Sequence, residues 1–143
     1  MARRVSTRPA QPPAPIRRPA PISPDPRLVE GVALYNHRQF FECHEVLEQA
    51  WKEIDGPAKD FYKGLIQAAV AFYHWSQGNL AGALTLARSA TKYLKKYPPD
   101  YGGLDLGPFV EEFSGIFTWL RRHRQRYDAR VVPTLRWNAP LAS

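Results

Sequence analysis

The feature that most limits the fold of this chain is a long apolar stretch at residues 61–78, FYKGLIQAAVAFYHWSQG. On a helical wheel its apolar side chains point in most directions, which predicts a helix that other elements surround. A polar stripe interrupts it, because Lys63, Gln67 and His74 follow at steps of four and seven residues and share one face. Buried polar groups need hydrogen-bond partners, so we expect any chemistry of the chain to lie on this face.

The remaining pattern predicts an all-α fold. No segment alternates apolar and polar residues with the period of two that is typical of strands. Two helix–turn–helix units, roughly forty residues apart, resemble the packing of tetratricopeptide-type repeats. Apolar residues at helical spacing predict a single compact bundle of about five helices, near residues 27–36, 40–54, 57–77, 80–97 and 108–120.

Prolines and positive charge are concentrated at the two ends of the chain. Residues 1–26 hold eight of the fourteen prolines together with five Arg and one Asp, which predicts a disordered Pro/Arg-rich arm. Residues 121–143 hold six Arg and one Asp. We therefore predict a helical domain at 27–125, preceded by the arm and followed by a basic C-terminal tail at 126–143.

The composition of the body excludes several classes of protein. Residues 27–120 carry nine basic and eleven acidic side chains, which argues against a folded nucleic-acid reader with a basic domain. Cys43 is the single cysteine, so a disulfide framework and a multi-cysteine zinc site are excluded, and a reducing compartment, the cytoplasm, is expected. No apolar run approaches the length that crosses a bilayer, so no membrane association is expected.

The second predicted helix adds polar residues that can meet the polar stripe. His44 falls in its apolar sector, and Glu48 lies one turn further on at the edge of that sector. If the second and third helices pack antiparallel, these two side chains meet Gln67 and His74, with Lys63 at one end. We therefore predict a buried polar cluster that can bind a ligand. The residues that flank it are Phe41, Glu45, Trp51 and Tyr73.

Three interpretations of this cluster remain open: a structural network that fixes helix register, a ligand- or anion-binding pocket, and a metal site formed by His44, Glu48 and His74. The HExxE pattern differs from the HExxH helix of zinc peptidases, because Glu48 replaces the second histidine and Glu45 points away from the core. No cofactor is predicted apart from this possible metal. Cys43 diverges from His44 by about 100° around the helix, so a catalytic Cys–His dyad is not expected.

Three motifs in order, FFECHEVLEQAWK, FYKGLIQAAVAFYHWSQGNLAGAL and YPPDYGGLDL, resemble the family called domain of unknown function 309. The resemblance spans Val29 to Phe117. It implies a compact all-helical bundle of small bacterial and archaeal proteins and some plant proteins, and it implies no established activity. Lys63 stands where the family leads us to expect Gln. The residues that fall on the family's motifs are Phe41, Glu42, His44, Glu45, Glu48, Trp51, Gly64, Gln67, His74, Gly78 and Asn79.

These observations predict a cytoplasmic helical domain that acts as a non-enzymatic binding or interaction module, with a protein or a second copy of the chain as partner. One alternative is a metal-dependent hydrolase that uses the same cluster, which would need an open and hydrated site. A second alternative is weak nucleic-acid binding through the basic termini, which would depend steeply on salt.

Overall fold

The computed structural model describes residues 21–142 and consists of helices joined by short connections. The five α-helices are α1 (Pro26–Asn36), α2 (Phe40–Glu53), α3 (Ala58–Ser76), α4 (Leu80–Leu94) and α5 (Leu106–His123). Single turns of 3₁₀ helix lie at Tyr101–Gly103 and Ala129–Val131. Within this range the extended pairings are isolated bridges, so the predicted all-α bundle is confirmed. None of the described helices is long and apolar enough to cross a membrane.

The helix ends follow from local chemistry that the sequence displays. Asp25 caps α1, because its carboxylate accepts a hydrogen bond of 2.8 Å from the backbone N–H of Arg27. Gly78 takes a positive φ of 79° in the turn between α3 and α4, a conformation that glycine adopts without strain. The side chain of Asn79 then caps α4 by accepting from the N–H of Gly82 at 3.0 Å. These signals fix two of the helix starts independently of tertiary packing.

The core is built around Phe72 of α3, which is fully buried. Helix α3 packs against α2 and α4. Its Phe72 ring lies 5.5 Å from Phe113 and 5.1 Å from Phe117, both on α5, measured between centroids. Aromatic pairs at these separations add to the free energy of apolar burial. Helix α5 therefore covers the Phe72 side of α3.

That packing corrects the expectation that α3 is surrounded on all sides. At 100° per residue, Lys63, Gln67 and His74 point about 140–180° away from Phe72, so α5 does not reach them. All three are only partly buried, and residues 21–142 contain no fully buried polar or charged residue. The predicted burial of the polar cluster is therefore wrong. The stripe is partly exposed between α2 and α4, although the Oε1 atom of Gln67 is buried.

The segment after α5 returns to the start of the domain. Arg124 ends α5 with a φ of 48°, and the chain then packs on α1. The Tyr35 hydroxyl donates to the carbonyl of Pro133 at 2.7 Å. Asn36 exchanges two hydrogen bonds with the backbone of Leu135, at 2.8 and 2.9 Å. Contacts separated by about a hundred residues thus close the bundle.

The two ends of the described chain lie side by side. The N–H of Ile22 donates to Pro140 at 2.9 Å, and the N–H of Ala142 donates to the carbonyl of Ile22 at 2.8 Å. Residues 1–20, most of the predicted arm, lie outside the described residues, so the disorder of the arm stays a prediction. The division of the chain into arm, domain and tail also stays a prediction.

Candidate functional site

The polar stripe of α3 begins at Lys63, which lies between two aromatic rings. The Nζ atom of Lys63 is 5.9 Å from the ring centroid of Trp51 on α2 and 5.3 Å from that of Tyr93 on α4. Lys59, one turn earlier, places its Nζ 4.6 Å from the Trp51 ring. Cations at these distances from an aromatic face are attracted by the ring quadrupole. Cation–π contacts therefore connect this end of the polar stripe to α2 and α4. Sequence analysis missed Lys59 and Tyr93, although Lys59 and Lys63 show the i,i+4 spacing of one helix face.

His44 and Glu48 of α2 form the predicted i,i+4 pair at the surface. The Nε2 atom of His44 lies 3.2 Å from a carboxylate oxygen of Glu48, and the side chains are 24% and 42% exposed. The Nδ1 atom lies 2.8 Å from the carbonyl oxygen of Phe41. Both ring nitrogens face oxygen acceptors, so each contact is a hydrogen bond only when its nitrogen carries a proton. A neutral ring, which carries one N–H, can make only one of these two hydrogen bonds at a time.

Phe41 connects this pair to α3. Its ring is 46% exposed and lies 5.2 Å from the His44 ring and 5.6 Å from the Tyr73 ring, between centroids. We call these three residues the aromatic patch. Glu45, one turn after Phe41 on α2, is exposed, as its position away from the core predicts. The patch therefore presents an aromatic surface next to carboxylates.

His74 is held by the turn that follows α3 and not by α2. The amide nitrogen of Asn79 lies 3.3 Å from Nδ1 of His74, close enough to donate a hydrogen bond to it. No hydrogen bond in the part of the chain that the structure describes joins His44 or Glu48 to Gln67 or His74. The predicted residues therefore lie on the same side of the molecule but form two separate groups: His44 with Glu48, and His74 with Asn79.

Two buried polar atoms lie without a hydrogen-bond partner: the indole Nε1 of Trp51, in the last turn of α2, and the carbonyl Oε1 of Gln67, at the middle of α3. The first is a donor and the second an acceptor. Leaving such an atom unpaired costs roughly 1–3 kcal/mol. These two positions are therefore the least satisfied polar groups of the candidate site.

The described residues do not converge on a metal site. Residues 21–142 contain no group of three or more His, Cys, Asp or Glu side chains that could hold an ion. His44, Glu48 and His74 therefore do not form the ligand set that the hydrolase alternative requires. A metal bound by these residues would need ligands from elsewhere.

Comparison with known proteins shows that part of the chain is similar to a known family. Residues 28–86 match the model described as a domain of unknown function (DUF309). The uncharacterized protein YpuF of Bacillus subtilis (strain 168) is 38% identical over 91 residues, which cover 60% of this chain and 51% of that protein. An uncharacterized protein of Aquifex aeolicus (strain VF5) is 29% identical over 92 residues, which cover 62% of this chain and 28% of that protein. The chain thus spans about half the length of the Bacillus relative and less than a third of the Aquifex relative.

The matched range contains the aromatic patch and the polar stripe, since it runs from α1 to the middle of α4. It ends before the third motif, YPPDYGGLDL, which belongs to the resemblance predicted from sequence. The predicted resemblance is confirmed by the family match and by the two relatives. Over residues 28–86, this chain is therefore similar to the DUF309 family.

Proposed function

We propose that the chain is a non-enzymatic protein-interaction module that binds a partner through the aromatic patch on α2 and α3. The observation that carries the proposal is the exposure of Phe41, a large apolar ring that lies next to the tilted rings of His44 and Tyr73. Aromatic residues are enriched at the centres of protein interfaces and carry a large share of their binding energy.

The charge of α2 specifies the chemistry of the partner. Three carboxylates, Glu42, Glu45 and Glu48, follow Phe41, and no lysine or arginine appears on this helix before Lys52. A partner segment with an arginine or lysine beside an apolar side chain would match both features, through charge complementarity and through cation–π contact with the rings. The proposal places the module in the cytoplasm, where the single thiol of Cys43 stays reduced.

A phage-displayed library of random peptides, selected on the full chain, tests this proposal. We expect selected peptides to carry arginine or lysine next to an apolar residue. Phe41→Ala should weaken their binding by about tenfold or more, because the variant removes an aromatic anchor. Trp119→Ala is the matched control, since Trp119 is a comparably exposed ring, 43%, on α5, and it should leave binding unchanged. Thermal melting of both variants checks that they fold.

Three results would overturn the proposal. The first is selected peptides without positive charge, and the second is equal binding to Phe41→Ala and wild type. The third is self-association of the wild-type chain in sedimentation velocity that Phe41→Ala abolishes, because a second copy would then be the occupant of the patch. A Glu45→Gln/Glu48→Gln variant adds an independent check, since it should reduce both the affinity and its salt dependence.

A further inference from the structure

A cleft between α4 and α5, which shares no residue with the aromatic patch, is lined by positively charged side chains. It has a volume of about 420 Å³. Arg88 and Lys92 of α4 and Lys95, which directly follows this helix, line one side, and Arg121 of α5 lines the other, above a floor that includes Phe117. No aspartate or glutamate lines it. Although the net charge of residues 27–120 is close to zero, positively charged side chains are therefore concentrated at this cleft on the folded body.

The cations on α4 are regularly spaced and lack internal partners. Arg88, Lys92 and Lys95 stand at i, i+4 and i+7, so neighbours are about 5–6 Å apart along one helix face. Among the ion pairs of the described residues, none involves these three side chains or Arg121. Like charges at this spacing destabilise a helix. An anion with repeated charges would relieve that repulsion.

A second cleft extends the row of cations. It has a volume of about 470 Å³ and includes Arg124 and Arg126 in its lining, again without an acidic residue. Leu80 lines this cleft and Leu84, one turn further on α4, lines the first, so the two clefts adjoin. Together they present six cations along one path, which is more than a single phosphate group can engage.

We propose that these two clefts bind the sugar–phosphate backbone of single-stranded nucleic acid without sequence preference. A flexible single strand can follow a cationic groove between two helices, whereas a stiff duplex would meet only the rim of that groove. Thr91, Ser114 and Thr118 also line the first cleft, but their hydroxyls donate to backbone carbonyls of their own helices, so the cations would make the phosphate contacts. A membrane surface would instead meet a flat or convex face with exposed apolar residues, and the exposed large apolar residues, Phe41, Trp119, Val131 and Leu141, line neither cleft.

Fluorescence anisotropy with a labelled oligothymidylate tests the proposal on the full chain. The logarithm of the association constant should fall linearly with the logarithm of salt concentration, since phosphate contacts release counterions. Arg88→Gln/Lys92→Gln should weaken binding at about 50 mM salt by tenfold or more. It should also reduce the slope by about 1.4, because each of the two cations neutralises one phosphate and contributes roughly 0.7 to the slope. The matched control is Lys52→Gln/Arg136→Gln, which removes two exposed charges outside both clefts and should have little effect.

The same assay contains the results that would overturn the proposal. Equal losses of affinity in the two double variants would show a response to net charge alone. Unchanged affinity in the cleft variant would place any binding elsewhere, for example in the arginines of residues 1–20. Duplex DNA bound as tightly as the single strand, or thymidine monophosphate competing as well as the oligomer, would exclude a strand-binding path. Phosphatidylserine vesicles that require Arg88 and Lys92, with no oligonucleotide binding, would show a membrane site instead.

Discussion

At the scale of single residues, Cys43 is the clearest case of a side chain whose chemistry is set by its place in the fold. The thiol is 1% exposed on the inner face of α2. Burial raises the pKa of the Cys43 thiol to about 12, because the apolar surroundings disfavour the thiolate. A buried neutral thiol is a poor nucleophile, so the structure supports the expectation that Cys43 has no catalytic role.

The raised pKa of Cys43 predicts a loss of stability at high pH. Below pH 9 the thiol is protonated in both the folded and the unfolded state, so it adds no pH dependence. Between pH 9 and the folded-state pKa of about 12, only the unfolded state releases the proton, which favours unfolding. Guanidinium chloride unfolding of wild type and Cys43→Ala should show the stability difference between them shrinking by about 1 kcal/mol from pH 9 to pH 10. Parallel pH profiles for the two proteins would contradict this prediction.

At the scale of elements, the close approach of α3 and α4 depends on Gly64. A Cβ atom added at this position would lie 2.6 Å from Cδ2 and 2.7 Å from Cγ of Leu94. Leu94 is itself fully buried, so it has little room to move. The contact between Gly64 and Leu94 also places Tyr93, the neighbour of Leu94, beside Lys63 at the end of the polar stripe.

Gly64→Ala should therefore destabilise the fold by about 1–3 kcal/mol through overpacking at the α3–α4 contact. Gly115→Ala is the control, because Gly115 is exposed within α5 and a Cβ there meets no atom within 4 Å. Alanine at that position should stabilise the helix by about 0.5–1 kcal/mol. Urea unfolding of the two variants measures both effects. A stabilised Gly64→Ala would mean that α4 can shift away from α3 at little cost.

At the scale of the whole molecule, the C-terminal segment holds the first helix to the rest of the bundle. Val132 and Leu135 are buried, and Tyr35 of α1 donates its hydroxyl hydrogen bond to Pro133 inside the core. The segment that the sequence predicts to be a basic tail therefore also contributes buried residues to the core.

Tyr35→Phe should lower the free energy of unfolding by about 1–3 kcal/mol, because it leaves the buried Pro133 carbonyl without a donor. Tyr93→Phe serves as the control, since the Tyr93 hydroxyl makes no hydrogen bond within the described residues. Its effect should stay within about 0.5 kcal/mol. Thermal unfolding monitored by circular dichroism compares the two. Equal melting temperatures would show that the C-terminal segment contributes no stability through this bond.

How far sequence reasoning succeeds depends on the range of the interactions involved. The helix starts at Asp25 and Asn79 could be predicted, because each cap is made within three residues of the chain. The partial exposure of Lys63 and His74 could not, because an apolar helix does not reveal which of its faces α5 will cover. The docking of Leu135 on Asn36 rests on hydrogen bonds between residues 99 positions apart, for which no local pattern exists.

The adjacency of Ile22 and Leu141 has a mechanical consequence. A force that pulls the two ends of the described chain apart would load this one bridge before any helix. Because the bridge is parallel, the pull would load its two hydrogen bonds together, in shear. The C-terminal segment, which is bonded at Asn138 and Leu135, should then come away before the helices open.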